Sequence, residues 1–168
     1  MVQHIHVLDM IAQHIHHDRP AHPCAGRGFS GLPVRVQEQT MPVVRGAMNA
    51  QNRPEWSKVT SAGIFWVSAN GGRFDNHYHD CHEYWLIYKG KAKVRSEGVE
   101  YLVKPGDIVC TKAGDEHDVI EVYEDLQAFW FEDETPPGGR VGHLHRTQED
   151  AKGHDVPLRE CPKELQEC

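Results

Sequence analysis

The sequence predicts an all-β barrel or sandwich of short antiparallel strands. Three observations carry that expectation. Glycines fall at positions 90, 98, 106 and 114, a regular spacing that divides the middle of the chain into short segments. The segments they separate, Tyr84 to Tyr88, Ala92 to Ser96, Glu100 to Val103 and Ile108 to Thr111, have the length of strands. The whole chain has 168 residues, enough for one sizeable core with a tail or two, so one domain is expected.

Taken in order, residues 3–17 place Ile5, Leu8, Ala12 and Ile15 on one side of a helical wheel, and Asp18-Arg19-Pro20 would end such a helix. A short N-terminal helix or arm is expected there. Residues 20–33 are rich in Pro and Gly and read as a linker. Val34 to Gln37 and Met41 to Val44 have the makings of short edge strands, and Gln51 to Lys58 reads as a loop or a brief turn of helix. Gly63 to Ser68 is a β-branched and aromatic run closed by the turn Asn70-Gly71-Gly72. After the glycine-punctuated strands, His117 to Val122 and Leu126 to Phe131 supply two more, with Glu124-Asp125 at their turn. Beyond Phe131 the chain turns polar: Pro136-Pro137-Gly138-Gly139 is a spacer, and Gly142 to Cys168 reads as a tail laid over the barrel or left free.

Composition narrows the function. A net charge of −7 without a dense Lys/Arg cluster argues against a nucleic-acid partner, because phosphate binding needs a localised basic surface. No stretch reaches the roughly eighteen apolar residues of a membrane span, and the N-terminus lacks the pattern of a secretory leader, so a cytoplasmic protein is expected. Five cysteines, an odd number without a CxxC pair, read as reduced thiols. Cys81 is either an incidental turn thiol or one lying near a metal.

The chemistry gathers in two stretches. His77 and His79 are two residues apart, so on an extended strand both side chains leave the same face, and Glu83 can return to the same point once the chain bends. Two imidazoles and a carboxylate are good ligands for a divalent ion. His117, after two turn signals, is the candidate for a fourth. His-x-His recurs at His4/His6, His14/His16 and His143/His145 without such a supporting frame.

Gly71, His77, His79, Glu83 and Gly90 fit the frame G(x)5HxH(x)3E(x)6G, and Gly106, Gly114 and His117 fit most of G(x)5PxG(x)2H(x)3N. In these residues the chain resembles the cupin superfamily, over roughly residues 41–146. Two positions depart from the second frame: Lys112 stands where the family usually has Pro, and Glu121 where it usually has Asn. The resemblance implies a double-stranded β-helix, the jelly-roll barrel of cupins, preceded by an extension over residues 1–40 and followed by a tail over residues 147–168. It also implies one divalent metal ion, Fe, Mn, Zn or Ni, held by His77, His79, Glu83 and His117. Cupin enzymes that oxidise thiols usually lack the glutamate, so Glu83 argues against that branch.

If His117 points inward, the two-residue period turns Glu121 inward too, as a candidate general base. Arg73, Arg95 and Tyr123, with Tyr78 and Tyr101, are candidates to hold a small polar or anionic metabolite. The functional expectation is a metal-dependent enzyme, a dioxygenase or a sugar or sugar-acid isomerase. The alternative is a non-catalytic sugar- or organic-acid-binding module with a structural metal. A homodimer is expected, with an N-terminal segment exchanged over a sheet edge.

Overall fold

A computed structural model of the chain describes residues 43–166. The helix expected over residues 3–17, the linker over 20–33 and the strand at 34–37 lie outside them. Val43 and Val44, from the other early strand, are not in a strand.

Nine strands form among the described residues: β1 (Ser61–Val67), β2 (Gly72–Phe74), β3 (Glu83–Lys89), β4 (Ala92–Ser96), β5 (Val99–Val103), β6 (Ile108–Thr111), β7 (His117–Val122), β8 (Leu126–Glu132) and β9 (His154–Val156). They make a sheet in the order β1-β8-β3-β6, a second in the order β5-β4-β7, and a small pair β2-β9. All strand pairs are antiparallel. The described part of the chain is thus an all-β double-stranded β-helix. Among the described residues no helix is long and apolar enough to cross a membrane.

The two larger sheets close on one core. Alternation on β3 sends Glu83, Trp85 and Ile87 inward, and on β4 it sends Ala92, Val94 and Ser96. Leu126 and Ala128 of β8 and Val119 and Val122 of β7 complete the apolar floor. Such burial, at about 25 cal/mol per Å² of apolar surface, is what holds the sheets together. Trp85 is ringed edge-on by Phe65 and Phe74, with centroids 5.0 and 5.6 Å away. This aromatic group fills the end of the barrel where the polar residues gather.

The strand β7 contains a bulge. Lys93 stands opposite Glu121 and Val94 opposite Val119, which leaves Ile120 as an extra residue. The in-out parity therefore flips after Val119: Val122 is buried in the core and Glu121 faces outward, beside Lys93. This corrects the inward orientation that an unbroken two-residue period gives Glu121.

Two short strands escape the periodicity reading. β2 has three residues and β9 lies in the polar segment assigned to the C-terminal tail. β9 is held by its ladder to β2, by the buried Val156, and by His154 Nε2 donating to Asp118 Oδ1 at 2.8 Å. Farther on, the Val122 N–H donates to Pro157 O at 3.0 Å and the Arg159 N–H donates to Val122 O at 2.9 Å, which carries the chain along β7. The segment 154–165 is packed on the barrel, with Leu165 buried at its end.

Candidate metal centre

His77 and His79 lie between β2 and β3 in an extended stretch that is joined to the rest by single bridges. His77 pairs with His117, and Tyr78 with Leu144. His77 N–H donates to His117 O at 3.2 Å and His117 N–H returns to His77 O at 2.8 Å, which brings two imidazoles from distant segments to one place. Their ring centroids are 4.2 Å apart. Glu83 opens β3 and points into the same space.

Each imidazole is oriented from behind. His77 Nδ1 lies 2.7 Å from Asp75 O and His117 Nδ1 lies 3.4 Å from Asp115 O. A carbonyl only accepts, so Nδ1 carries the proton and Nε2 is left with its lone pair facing the cluster. His79 has Glu132 Oε1 3.2 Å from its Nδ1, without the alignment of a hydrogen bond. Glu83 Oε2 accepts from the Trp85 indole N–H at 2.9 Å and lies 2.7 Å from His117 Nε2 and 3.6 Å from His79 Nε2.

One donor atom from each of His77, His79, Glu83 and His117 lies within 4.8 Å of every other, and all four residues are buried. The Nε2 atoms of His79 and His117 have no hydrogen-bond partner among the described residues. Buried polar atoms without partners cost about 1–3 kcal/mol each, so two such nitrogens beside one carboxylate are an arrangement suited to a cation. The donor set, three nitrogens and one carboxylate, fits a divalent ion of the first transition row. Burial pushes the His77 imidazole down to about 2, helped by the charges of His143 and His117, and pushes His79 down to about 4. Both rings are therefore neutral at physiological pH, the form that ligates.

His77 and Glu83 of the cluster face a cavity of about 260 Å³ lined by Phe65, Phe74, Trp85 and Trp130, with Ser61, Glu132 and His143 at its other polar points. Glu132 and His143 were not singled out by sequence. Glu132 faces the site because β8 pairs it with Glu83, and burial followed by the Glu83 charge raises its carboxyl. His143 arrives on the stretch after the Pro-Gly spacer and stacks on His77 at 3.6 Å and 3°. Arg140 anchors that stretch by donating from its backbone N and its Nε to Asp80 at 2.8 and 3.0 Å. Asp75 takes hydrogen bonds from His143 and His145, which outweigh burial and hold its carboxyl well below the usual carboxylate range.

The other sequence candidates are placed elsewhere. Glu121 takes Lys93 at 2.9 Å and the Tyr123 hydroxyl at 2.7 Å on the outside of β7, so it and Tyr123 satisfy one another. Arg73 holds Asp155 and the carbonyls of Lys152 and Gly153, which fastens β9. Arg95 pairs with Glu100 across β4 and β5 at 3.2 Å. Tyr78 is buried beneath the Arg146 guanidinium, 4.0 Å from its ring centroid. Tyr101 lines a separate hollow of about 540 Å³ along β5 and β6, which shares no residue with the histidine cluster. Cys81 is a buried thiol outside the donor set; burial and the Glu132 charge push it up to about 11, out of the reactive range.

Residues 64–132 match the sequence profile of the cupin domain. A protein of Sinorhizobium fredii called uncharacterized protein y4oW is 41% identical over 71 residues, which is 42% of this chain; the chain spans 33% of that relative's length. Similar solved structures include the DMSP lyase DddQ from Ruegeria pomeroyi DSS-3, at 21% identity and TM-score 0.47, covering 54% of this chain and 44% of that one. Another is salicylate 1,2-dioxygenase from Pseudoaminobacter salicylatoxidans, at 13% identity and TM-score 0.41, covering 45% of this chain and 20% of that one. A third, from Klebsiella pneumoniae, is described as having a double-stranded β-helix domain, with 17% identity, TM-score 0.43 and coverage of 54% and 78%.

Proposed function

The chain belongs to the cupin superfamily, and from that premise we propose that it is a metal-dependent enzyme acting on a small oxygen-bearing metabolite, with dioxygenase chemistry favoured. The observation that carries this reading is the convergence of four buried donor atoms, two of them without a hydrogen-bond partner among the described residues, beside a cavity of about 260 Å³ that His77 and Glu83 line. His77, His79, Glu83 and His117 would hold the ion. When bound, a divalent ion supplies a Lewis acid with coordination positions left for an oxygen ligand.

The rest is the work of the protein's own side chains. Asp75 and Asp115 fix the tautomers of His77 and His117 through their carbonyls, and Trp85 fixes the Glu83 carboxylate. Phe65, Phe74 and Trp130 exclude water and offer flat apolar contact to a compact substrate. Among the described residues, no Lys or Arg lines the cavity. A phosphorylated or strongly anionic sugar would therefore find few partners, which favours a compact substrate with vicinal oxygens over the isomerase reading.

A second reading is a binding module without turnover. It is favoured by the placement of Glu121, the sequence's candidate base, on the outside of the barrel. Metal analysis of the purified protein, with oxygen uptake measured against compact phenols and 2-oxo acids, separates the two. Bound iron with substrate-dependent uptake supports the enzyme; tight binding of these compounds with no turnover supports the module.

We also propose that the outer face of the β1-β8-β3-β6 sheet meets a second copy of the chain. That face exposes Ile64, Trp66, Tyr88, Ile108 and Phe129. An apolar strip of this kind can pack on itself about a two-fold axis.

A further inference from the structure

We propose that Asp75, His143 and His145 form a second divalent-metal site, built beside the four-residue cluster but with its own donor atoms. His143 Nδ1 and His145 Nε2 each lie 2.8 Å from the same carboxylate oxygen, Asp75 Oδ2. The three donors all lie within 4.8 Å of one another.

The local structure makes this convergence a built feature. Leu144 exchanges two backbone bonds with Tyr78, at 2.9 and 3.0 Å, which keeps its neighbours extended. In an extended stretch, residues on either side of Leu144 project to the same face, so His143 and His145 are presented together. His143 is further fixed by its parallel stacking on His77. Asp75 comes from the other side of the site, just past β2, and its carbonyl separately accepts from His77 Nδ1 at 2.7 Å. Its backbone thus serves the first cluster, while its side-chain Oδ2, 3.6 Å from His77 Nδ1, takes the two hydrogen bonds of the second.

Two imidazoles and one carboxylate are the donor set of a facial triad, which binds six-coordinate first-row ions and leaves three positions free. Donors bound at right angles with bonds of about 2.1 Å stand about 3 Å apart, close to the separations from Asp75 Oδ2. Each ring must offer its lone pair at that point, and the ring proton moves to the other nitrogen. Asp75 and His145 are partly exposed and His143 is half exposed, so an ion has access from solvent.

The test is Co²⁺ titration of the metal-free full-length chain, read by visible absorbance and bound equivalents. Histidines near the N-terminus are present in every variant and cancel in the comparison. Asp75→Asn and His145→Ala should each lose one equivalent, or weaken it at least tenfold, and keep the equivalent that His79→Ala removes. His79→Ala should keep the equivalent that they lose, so failure of the first site is read separately. Uptake by Asp75→Asn and His145→Ala equal to wild type overturns the proposal. So does loss of both equivalents in either variant with the sheet circular dichroism intact, since the triad would then only position His77. If either variant loses that spectrum, His145→Gln is read by the same two criteria.

Discussion

The Trp85 indole donates to the Glu83 oxygen that lies closest to His117, so the residue two places along β3 sets the aim of the one carboxylate among the four donors. Trp85→Phe keeps the ring against Phe65 and Phe74 but removes that donor. Loss of such a supporting hydrogen bond costs about 10- to 100-fold in metal affinity. Competition with a chelating dye should show that loss, while the sheet circular dichroism stays unchanged. An affinity within twofold of wild type would mean that Glu83 is aimed by something else.

The metal-free protein should weaken in mild acid. His77 and His79 have their imidazoles held down to about 2 and about 4 by burial, whereas in the unfolded chain a histidine titrates near 6.5. Between those values the unfolded state binds protons that the folded state refuses, so stability is lost as the pH is lowered. Urea midpoints of chelated protein should drop steadily from about pH 6.5 to about pH 4. His79→Ala should show a shallower drop.

Two glycines of similar conformation should respond unequally to alanine. Gly90 has φ 81°, and a Cβ there would meet the Asp125 carbonyl oxygen at 2.0 Å. Gly98 has φ 75°, and a Cβ there would meet nothing within 4 Å among the described residues. Gly98→Ala should cost only the left-handed strain, about 1–2 kcal/mol. Gly90→Ala must also push the β7–β8 turn away from β3 and should cost about 3 kcal/mol or more, measured by denaturant unfolding.

Trp66 is 61% exposed on the outer face of β1. Trp66→Glu should convert the proposed dimer to monomer in sedimentation velocity without changing the sheet spectrum. A wild-type chain that sediments as a monomer would remove the dimer proposal outright.

Much of this architecture was legible because local and global signals agree. The glycine interval marks turns that the fold uses, and β4, β6 and β7 have the bounds that their composition predicts. The spacing of His77, His79, Glu83 and His117 identified residues that the fold brings together. Glu132 was not legible, since its inward position follows from the pairing of β8 with β3 and not from any local pattern. Glu121 was misread because one bulged residue, Ile120, inverts everything after it, and bulges leave little trace in side-chain alternation. The pair His143 and His145 had no frame of its own in the sequence; its partner Asp75 is about seventy residues away. Strand β9 is legible only in retrospect, because its three residues depend on β2 for their ladder.

Glu83 begins a strand of the four-stranded sheet and His117 begins one in the three-stranded sheet, and those two sheets share no ladder. An ion gripped by both residues would act as a cross-brace at the mouth of the barrel. Breathing of the two walls would then register first as faster metal exchange, well before any strand comes apart.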